Sequence, residues 1–204
     1  MSEAPILRGR AGRDGLVAAY RCLAAGDLRG ARDEWRAVRR LAPGFTVAYV
    51  EEARLLQRLG ESEAAEAVLV EAIAALPGAP DLVLAYAAAA ADRADWPEAA
   101  RRFGAAQRQY PGHPAFHAGL VRALRRLGRN DEADAALRDG PGDIQVDDDP
   151  PTLTDDDAAA RRKQALDAFE RGDLAAAGAG FAELRQARPT ARTVSPAASW
   201  CCAG

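Results

Sequence analysis

The fold of this chain is decided by two related stretches, LGESEAAEAVLVEAIAALPGAP at 59–80 and RADWPEAARRFGAAQRQYPGHP at 93–114. The second begins 34 residues after the first, and both carry a small residue, an acidic residue, an alanine, a bulky residue and a proline at the same offsets. The columns continue outside both stretches: Gly26, Gly60, Ala94 and Gly128; Ala31, Ala65, Ala99 and Ala133; Trp35, Leu69, Phe103 and Leu137; Pro43, Pro77 and Pro111. A spacing kept over about a hundred residues indicates an array of repeated structural units.

Each column has a physical reason. Glycine adopts a left-handed conformation without strain, so the first column predicts the end of one helix. The residues after it favour the positively polarised start of the next helix where they are acidic: Asp27, Glu61, Asp95 and Asp173. The alanine column predicts a close crossing of the two helices, the bulky column fills the core one turn further on, and the proline ends the second helix. The pattern therefore predicts helical hairpins that bury their apolar faces by stacking on each other.

The predicted organisation has five such hairpins, because the register returns after an insertion of ten residues at Gly172, Ala177, Phe181 and Pro189. In order, the predicted segments are an N-terminal leader at 1–11; an array at 12–139 with units 12–45, 46–79, 80–113 and 114–139; an acidic Pro/Gly linker at 140–157; a fifth unit at 158–191; and an irregular, disordered tail at 192–204. The fourth unit is short because the Gly-Pro-Gly run at 140–142 ends its second helix after about ten residues. Gly12 and Gly15 predict a first helix that frays at its start.

These residues resemble the tetratricopeptide repeat. The pattern of that family has a small residue early in helix A, glycine at the turn, alanine and then an aromatic residue in helix B, and proline at the end. The resemblance covers about 170 of the 204 residues. It implies an all-α chain, a right-handed α-solenoid of about five helical hairpins, whose helix A residues line a concave groove that accepts a peptide or a partner protein.

The composition agrees with an all-α protein of the interior of a bacterial cell. Alanine carries much of the 49% hydrophobic share, and alanine has the best helix propensity. The net charge of −3 argues against a nucleic-acid partner, and no apolar run reaches the length of a membrane span. Cys22, Cys201 and Cys202 are too few for a disulfide framework, and the N-terminus has no signal-peptide pattern, so we expect a cytoplasmic protein.

The groove is predicted by placing helix A of each unit on the family pattern. This gives Leu16, Val17 and Tyr20; Val50, Arg54, Gln57 and Arg58; Leu84, Ala88 and Asp92; Ala118, Arg122, Arg125 and Arg126; and Arg162 and Lys163. The polar and aromatic members form the predicted partner-binding set: Tyr20, Arg54, Gln57, Arg58, Arg122, Arg125 and Arg126. Guanidinium groups bind carboxylates bidentately, so the set favours an acidic partner. The alternative is that arginine is only the solvated-face residue of a helix from a GC-rich genome.

Histidines, a cysteine and two aspartate runs are further candidates for functional sites. His113 and His117 have helical metal-ligand spacing, but Pro114 begins a helix between them, which predicts a turn residue and a helix-surface residue. Cys22 is expected to be a small buried hydrophobe. The aspartate runs at 147–149 and 155–157 are interpreted as solvated linker, with folding back onto the arginines of the fourth unit as the alternative.

The functional prediction is a non-catalytic protein–protein interaction module, an adaptor or scaffold without metal or cofactor. No phosphate-binding loop, nucleophile elbow or zinc-protease motif is present in the sequence, so we do not expect an enzyme. The main alternative is the repeat region of a larger bacterial enzyme, such as a glycosyltransferase, sulfotransferase or methyltransferase. A third alternative is a homo-oligomer formed through an uncapped fifth repeat.

Overall fold

The computed structural model describes residues 10–140 and, further along the chain, residues 152–153, 157, 160–161, 163–164, 167–168 and 188–189. The chain divides into two compact units, Met1–Asp148 and Asp149–Gly204. In the described part of the first unit there are eight helices: α1 Arg10–Ala24, α2 Leu28–Leu41, α3 Thr46–Arg58, α4 Ser62–Ala75, α5 Pro80–Asp92, α6 Trp96–Gln109, α7 Pro114–Arg126 and α8 Asn130–Arg138. Each helix packs on the next, and the all-α solenoid predicted from the repeats is confirmed.

The four hairpin turns share one geometry. The column residue takes a positive φ in every hairpin, from 59° at Ala94 to 82° at Gly60. The following backbone N–H donates to the carbonyl five residues earlier: Asp27 to Cys22 at 2.9 Å, Glu61 to Leu56 at 2.8 Å, Asp95 to Ala90 at 3.0 Å and Arg129 to Leu124 at 3.0 Å. These bonds satisfy carbonyls that the end of a helix would otherwise leave unpaired. Hairpin geometry is thus encoded locally, and the third turn tolerates alanine where the others use glycine.

The column residues fill the core as predicted. The four column alanines are fully buried, and Trp35, Leu69 and Phe103 are buried beside them. The second helices end two residues before their prolines, at Leu41, Ala75 and Gln109. The last one is shorter, as predicted, because α8 has 9 residues where α2, α4 and α6 have 14.

The first helix starts earlier than the first predicted unit, which was placed at 12–45. The helix begins at Arg10, before Gly12, and runs through Gly15. A Cβ on Gly15 would stand 2.9 Å from Cγ2 of Val38. Gly15 therefore lets α2 approach α1 closely, and this packing outweighs the poor helix propensity of glycine.

The second unit contains one pairing that the sequence did not predict. Thr152–Leu153 forms a two-residue strand, β1, which pairs in parallel with β2 at Arg188–Pro189. A pairing of two residues on each strand depends on backbone hydrogen bonds. It is too short to show the alternating side-chain pattern by which a strand is recognised in a sequence. The helical residues of this unit at 157, 160–161, 163–164 and 167–168 fall at the linker end and in the predicted fifth repeat. Most of that repeat lies outside the described residues, as do the aspartates at 147–149 and 155–156, Arg162 and the tail at 192–204. The predicted contact of the fifth repeat with a second copy lies outside them too.

Candidate partner-binding surface

Two rows of helices follow from the stacking. The first helices of the hairpins contact each other directly, α3 with α5 and α5 with α7, and we call their solvent side the inner surface. The second helices, α2, α4, α6 and α8, form the outer surface on their solvent side. The predicted groove residues of the first four units are on the first helices, α1, α3, α5 and α7.

The first hairpin contributes less to the inner surface than predicted. Leu16 is buried, and Tyr20 is only 8% exposed because its ring packs edge to face on Trp35, with the centroids 5.3 Å apart. The pattern named Tyr20 as a groove residue, but its ring packs on Trp35 instead. The assignment of Tyr20 to an exposed groove therefore does not fit its position.

Hairpins two to four place matching residues in matching environments. Val50, Leu84 and Ala118 share one column and are all half-buried. One helical turn later, Arg54, Ala88 and Arg122 share the next column and are also half-buried. Apolar side chains at the centre of the inner surface are thus flanked by an arginine on either side. The further columns add half-buried Gln57 and Arg125, while Arg58, Asp92 and Arg126 are exposed. In the second unit, Lys163 is exposed.

Two donors on the inner surface lack partners. Nε2 of Gln57 and Nε of Arg122 are both shielded from solvent, and neither has a hydrogen-bond partner among the described residues. A buried donor without an acceptor costs about 1–3 kcal/mol.

Arg126 is held at the hairpin-turn edge. Its guanidinium carbon lies 5.4 Å from the ring centroid of Trp96, the first residue of α6. A cation over an aromatic face is attracted by the ring quadrupole, so the side chain is oriented towards the turn. The structure therefore separates Arg126 from Arg122, although both are on α7.

A buried ion cluster joins the first two hairpins, and sequence reasoning missed it. Glu52 on α3 is 0% exposed, and its carboxylate oxygens lie 2.8 Å from Nε of Arg36 and 3.1 Å from Nε of Arg39. Hydrogen bonding to Glu52 raises the pKa of Arg36. The sequence contained a signal for this cluster, because the residues equivalent to Glu52 in later units are Tyr86 and Leu120. A carboxylate in a column of large apolar residues needs a cation.

A second cluster joins the second and third hairpins. Arg102 on α6 donates from Nη1 to Glu66 on α4 and to the Tyr86 carbonyl, and its guanidinium stacks on the Tyr86 ring at 3.8 Å. Glu98 accepts from Arg101 and Arg102, which lowers the pKa of Glu98 to about 2. Burial opposes ionisation of Glu66, but hydrogen bonds from Arg102 and Arg93 outweigh it and lower its pKa. These charges stabilise the stacking of hairpins and leave the inner surface to other residues.

The prediction that His117 lies on a helix surface is wrong. His117 is 2% exposed, with Nε2 3.0 Å from the Pro111 carbonyl and Nδ1 3.0 Å from Nε2 of Gln107. Tyr49, two units earlier in the same column, donates its hydroxyl to the Pro43 carbonyl in the same way at 3.0 Å. Both ring donors satisfy the carbonyl of the proline that ends the preceding unit. His113 caps α7 at its start, and Cys22 is half-buried where full burial was expected.

In the described part of the chain, no three potential ligands come together to hold a metal ion. None of the helices described there is both long and apolar enough to cross a bilayer.

Comparisons with known proteins agree on one family. The tetratricopeptide repeat family model matches residues 90–150, and no curated protein matches the chain. A tetratricopeptide repeat protein from Parabacteroides merdae ATCC 43184 is similar in structure, with a TM-score of 0.52 at 16% identity, and covers 86% of this chain, which spans 66% of that protein's length. MamA from Desulfovibrio magneticus RS-1 has a TM-score of 0.51 at 15% identity, covering 87% of this chain and 94% of that one. A thermophilic TPR protein from Thermus thermophilus has a TM-score of 0.50 at 19% identity, covering 86% of this chain and 91% of that one.

At these identities the structural likeness establishes the fold, and the matched segment adds the sequence signature of the repeat. Residues 90–150 carry the tetratricopeptide repeat signature, and the described helices have the fold of such proteins, as the 34-residue columns predicted. Such a fold supports a role in protein interaction.

Proposed function

We propose that this protein is a non-catalytic adaptor that binds an acidic peptide or an acidic segment of a partner protein on the inner surface of α3, α5 and α7. The observation that carries the proposal is the arrangement of Arg54 and Arg122 on either side of the apolar centre at Leu84 and Ala88. All four are half-buried, so a ligand there is partly shielded from water, and charge-assisted hydrogen bonds gain strength. We place this role in the bacterial cytoplasm.

The arrangement also defines the form of the ligand. An extended peptide crossing the three helices would meet arginine, then apolar surface, then arginine. Its carboxylates would pair with Arg54 and Arg122, and a small apolar side chain between them would contact Leu84 and Ala88.

The test uses two labelled peptide sets of equal length and equal apolar content, one with glutamates and one with lysines. We expect the glutamate set to bind, and we expect higher salt to weaken that binding. The variant Arg54→Glu/Arg122→Glu should bind at least about tenfold more weakly. The matched control is Arg40→Glu/Arg108→Glu, which makes the same charge change on α2 and α6 and should leave binding of this peptide unchanged. Equal binding of both peptide sets, or equal loss in both variants, would refute the inner surface as the site.

A further inference from the structure

The inner surface of α5 has two alanines where both neighbouring helices have long polar side chains. Leu84, Ala88 and Ala91 follow each other at i, i+4 and i+7, so they form one stripe along the helix, and all three are half-buried. The positions equivalent to Ala88 and Ala91 are occupied by Arg54 and Gln57 on α3, and by Arg122 and Arg125 on α7. We call the space over the two alanines, between these four side chains, the alanine slot.

The slot has an apolar floor that the core holds in place. Ala87 and Ala90, which adjoin the floor on α5, are fully buried in the core between the third and fourth hairpins. Ala88 and Ala91 pack against the same core. Because protein cores are close-packed, α5 cannot move outward to fill the slot without opening this core.

The groups around the slot exclude most kinds of ligand side chain. Arg54, Arg122 and Arg125 line its walls, and their charges repel a cation. Asp92, exposed at the last position of α5, bounds the slot at the hairpin-turn end and repels a carboxylate. A neutral polar side chain would lose water against two methyl groups, which offer no hydrogen bond in return. The slot therefore favours an uncharged apolar side chain.

Among apolar side chains, an aromatic ring gains most from these walls. Arg54 and Arg122 make no ion pair with any residue that the structure describes, so their guanidinium groups can turn towards a ligand. A guanidinium is attracted to the face of an aromatic ring, as Arg102 shows in this chain at 3.8 Å from the Tyr86 ring centroid. A ring in the slot would receive such a contact from the walls, and an aliphatic side chain would not.

We propose that the alanine slot holds one aromatic side chain of the ligand, so that the partner is an acidic segment with an aromatic residue next to its small apolar residue. This inference rests on the proposed function of the inner surface. Adjacent side chains of an extended peptide point to opposite sides. The small side chain points to Leu84, and its neighbour points to Ala91, where the short alanine side chains leave room for a ring. Ala88 and Ala91 thus determine the specificity for this ligand residue.

The experiment measures binding of labelled glutamate peptides that carry phenylalanine, cyclohexylalanine or alanine, placed in turn before and after the small apolar residue. Cyclohexylalanine has nearly the size of phenylalanine but lacks the charge distribution of an aromatic face. In the preferred order, we expect the phenylalanine peptide to bind at least about tenfold more tightly than the alanine peptide, and about threefold more tightly than the cyclohexylalanine peptide.

A variant that fills the slot tests where the ring lies. Ala91→Leu should abolish the advantage of phenylalanine and leave binding of the alanine peptide unchanged. The matched control is Ala105→Leu, which makes the same change at an exposed position of α6 and should keep the advantage. Circular dichroism confirms that each variant is folded, and the comparison of peptides on the unmodified chain does not depend on either variant.

Three results would overturn this inference and leave the proposed function standing. Equal affinity of the phenylalanine and alanine peptides, with both weakened by Arg54→Glu/Arg122→Glu, would mean that no ring enters the slot. An advantage of phenylalanine that survives in Ala91→Leu would place the ring elsewhere. Equal affinity of the phenylalanine and cyclohexylalanine peptides would contradict the contact between ring and guanidinium. If no glutamate peptide bound at all, the proposed function itself would be refuted.

Discussion

The junction between the first two hairpins and the junction between the last two described hairpins are held together by different interactions. At the first junction, Glu52 is buried and held by Arg36 and Arg39. At the last junction, Phe103 on α6 lies against Gly119 on α7, where an added Cβ would collide with the ring. One junction is specified by charge and the other by close approach. The repeat therefore constrains where hairpins meet, and each junction has its own solution for holding them together.

The largest expected effect comes from breaking the charged junction. Arg36→Ala/Arg39→Ala leaves Glu52 buried without a cation, which should lower the free energy of unfolding by about 3–5 kcal/mol. Urea titration followed by circular dichroism measures it. Adding Glu52→Leu should restore most of the loss, because Leu120 occupies the equivalent position of the fourth unit. If the triple variant were no more stable than the double variant, the buried charge would not be the cause.

The apolar junction should break by overpacking. Gly119→Ala places a methyl group against the Phe103 ring and should lower the free energy of unfolding by about 1–3 kcal/mol. Phe103→Leu in the same chain should recover part of this, since Leu69 fills the same column in the second unit. Salt should change the effect of Arg36→Ala/Arg39→Ala on the free energy of unfolding, because charges hold the first junction together. It should leave the effect of Gly119→Ala unchanged. A loss that Phe103→Leu does not reduce would contradict the close-approach explanation.

A substitution in a hairpin turn, which touches neither junction, should change the free energy of unfolding by less. Ala94 has φ 59°, a left-handed conformation that costs an L-residue about 1–2 kcal/mol and glycine almost nothing. Ala94→Gly should therefore raise the free energy of unfolding by about 1 kcal/mol, after the larger chain entropy of glycine in the unfolded state is subtracted. The reverse change, Gly60→Ala at φ 82°, should lower it. A destabilising Ala94→Gly would show that the turn is not strained.

The smallest expected effect is the pH dependence of the Glu98 ion pairs. The pKa of Glu98 in the folded chain is about 2, below its unfolded value of about 4.3, so its contribution is present above pH 4.3 and is lost as pH falls towards 2. The pair is partly exposed, so this contribution should be less than about 1 kcal/mol. Comparing wild type with Glu98→Gln at pH 7 and pH 3 measures it. The difference between the two chains should shrink at pH 3, and an unchanged difference would contradict this assignment.

Particular residues show how far the repeat pattern predicts this molecule. Gly26, Gly60 and Gly128 have the left-handed turns that their column requires, because turn geometry is a local property of the backbone. Tyr20 and His117 were expected at exposed positions and are buried. The position of a residue in the repeat does not specify the size of the side chains that pack against it. The arginines of the inner surface were named from the family pattern. Their separation into Arg122 beside the apolar centre and Arg126 at Trp96 came from packing.

The amino-acid sequence alone determined the period, the hairpin turns, the buried alanines and the helix ends, since each depends on backbone conformation and on contacts within one repeat. Tertiary structure decided which charges are buried together and which glycines permit close approach. Those outcomes depend on side chains from different repeats, about 16 to 36 residues apart in the chain, and they become neighbours only when hairpins stack.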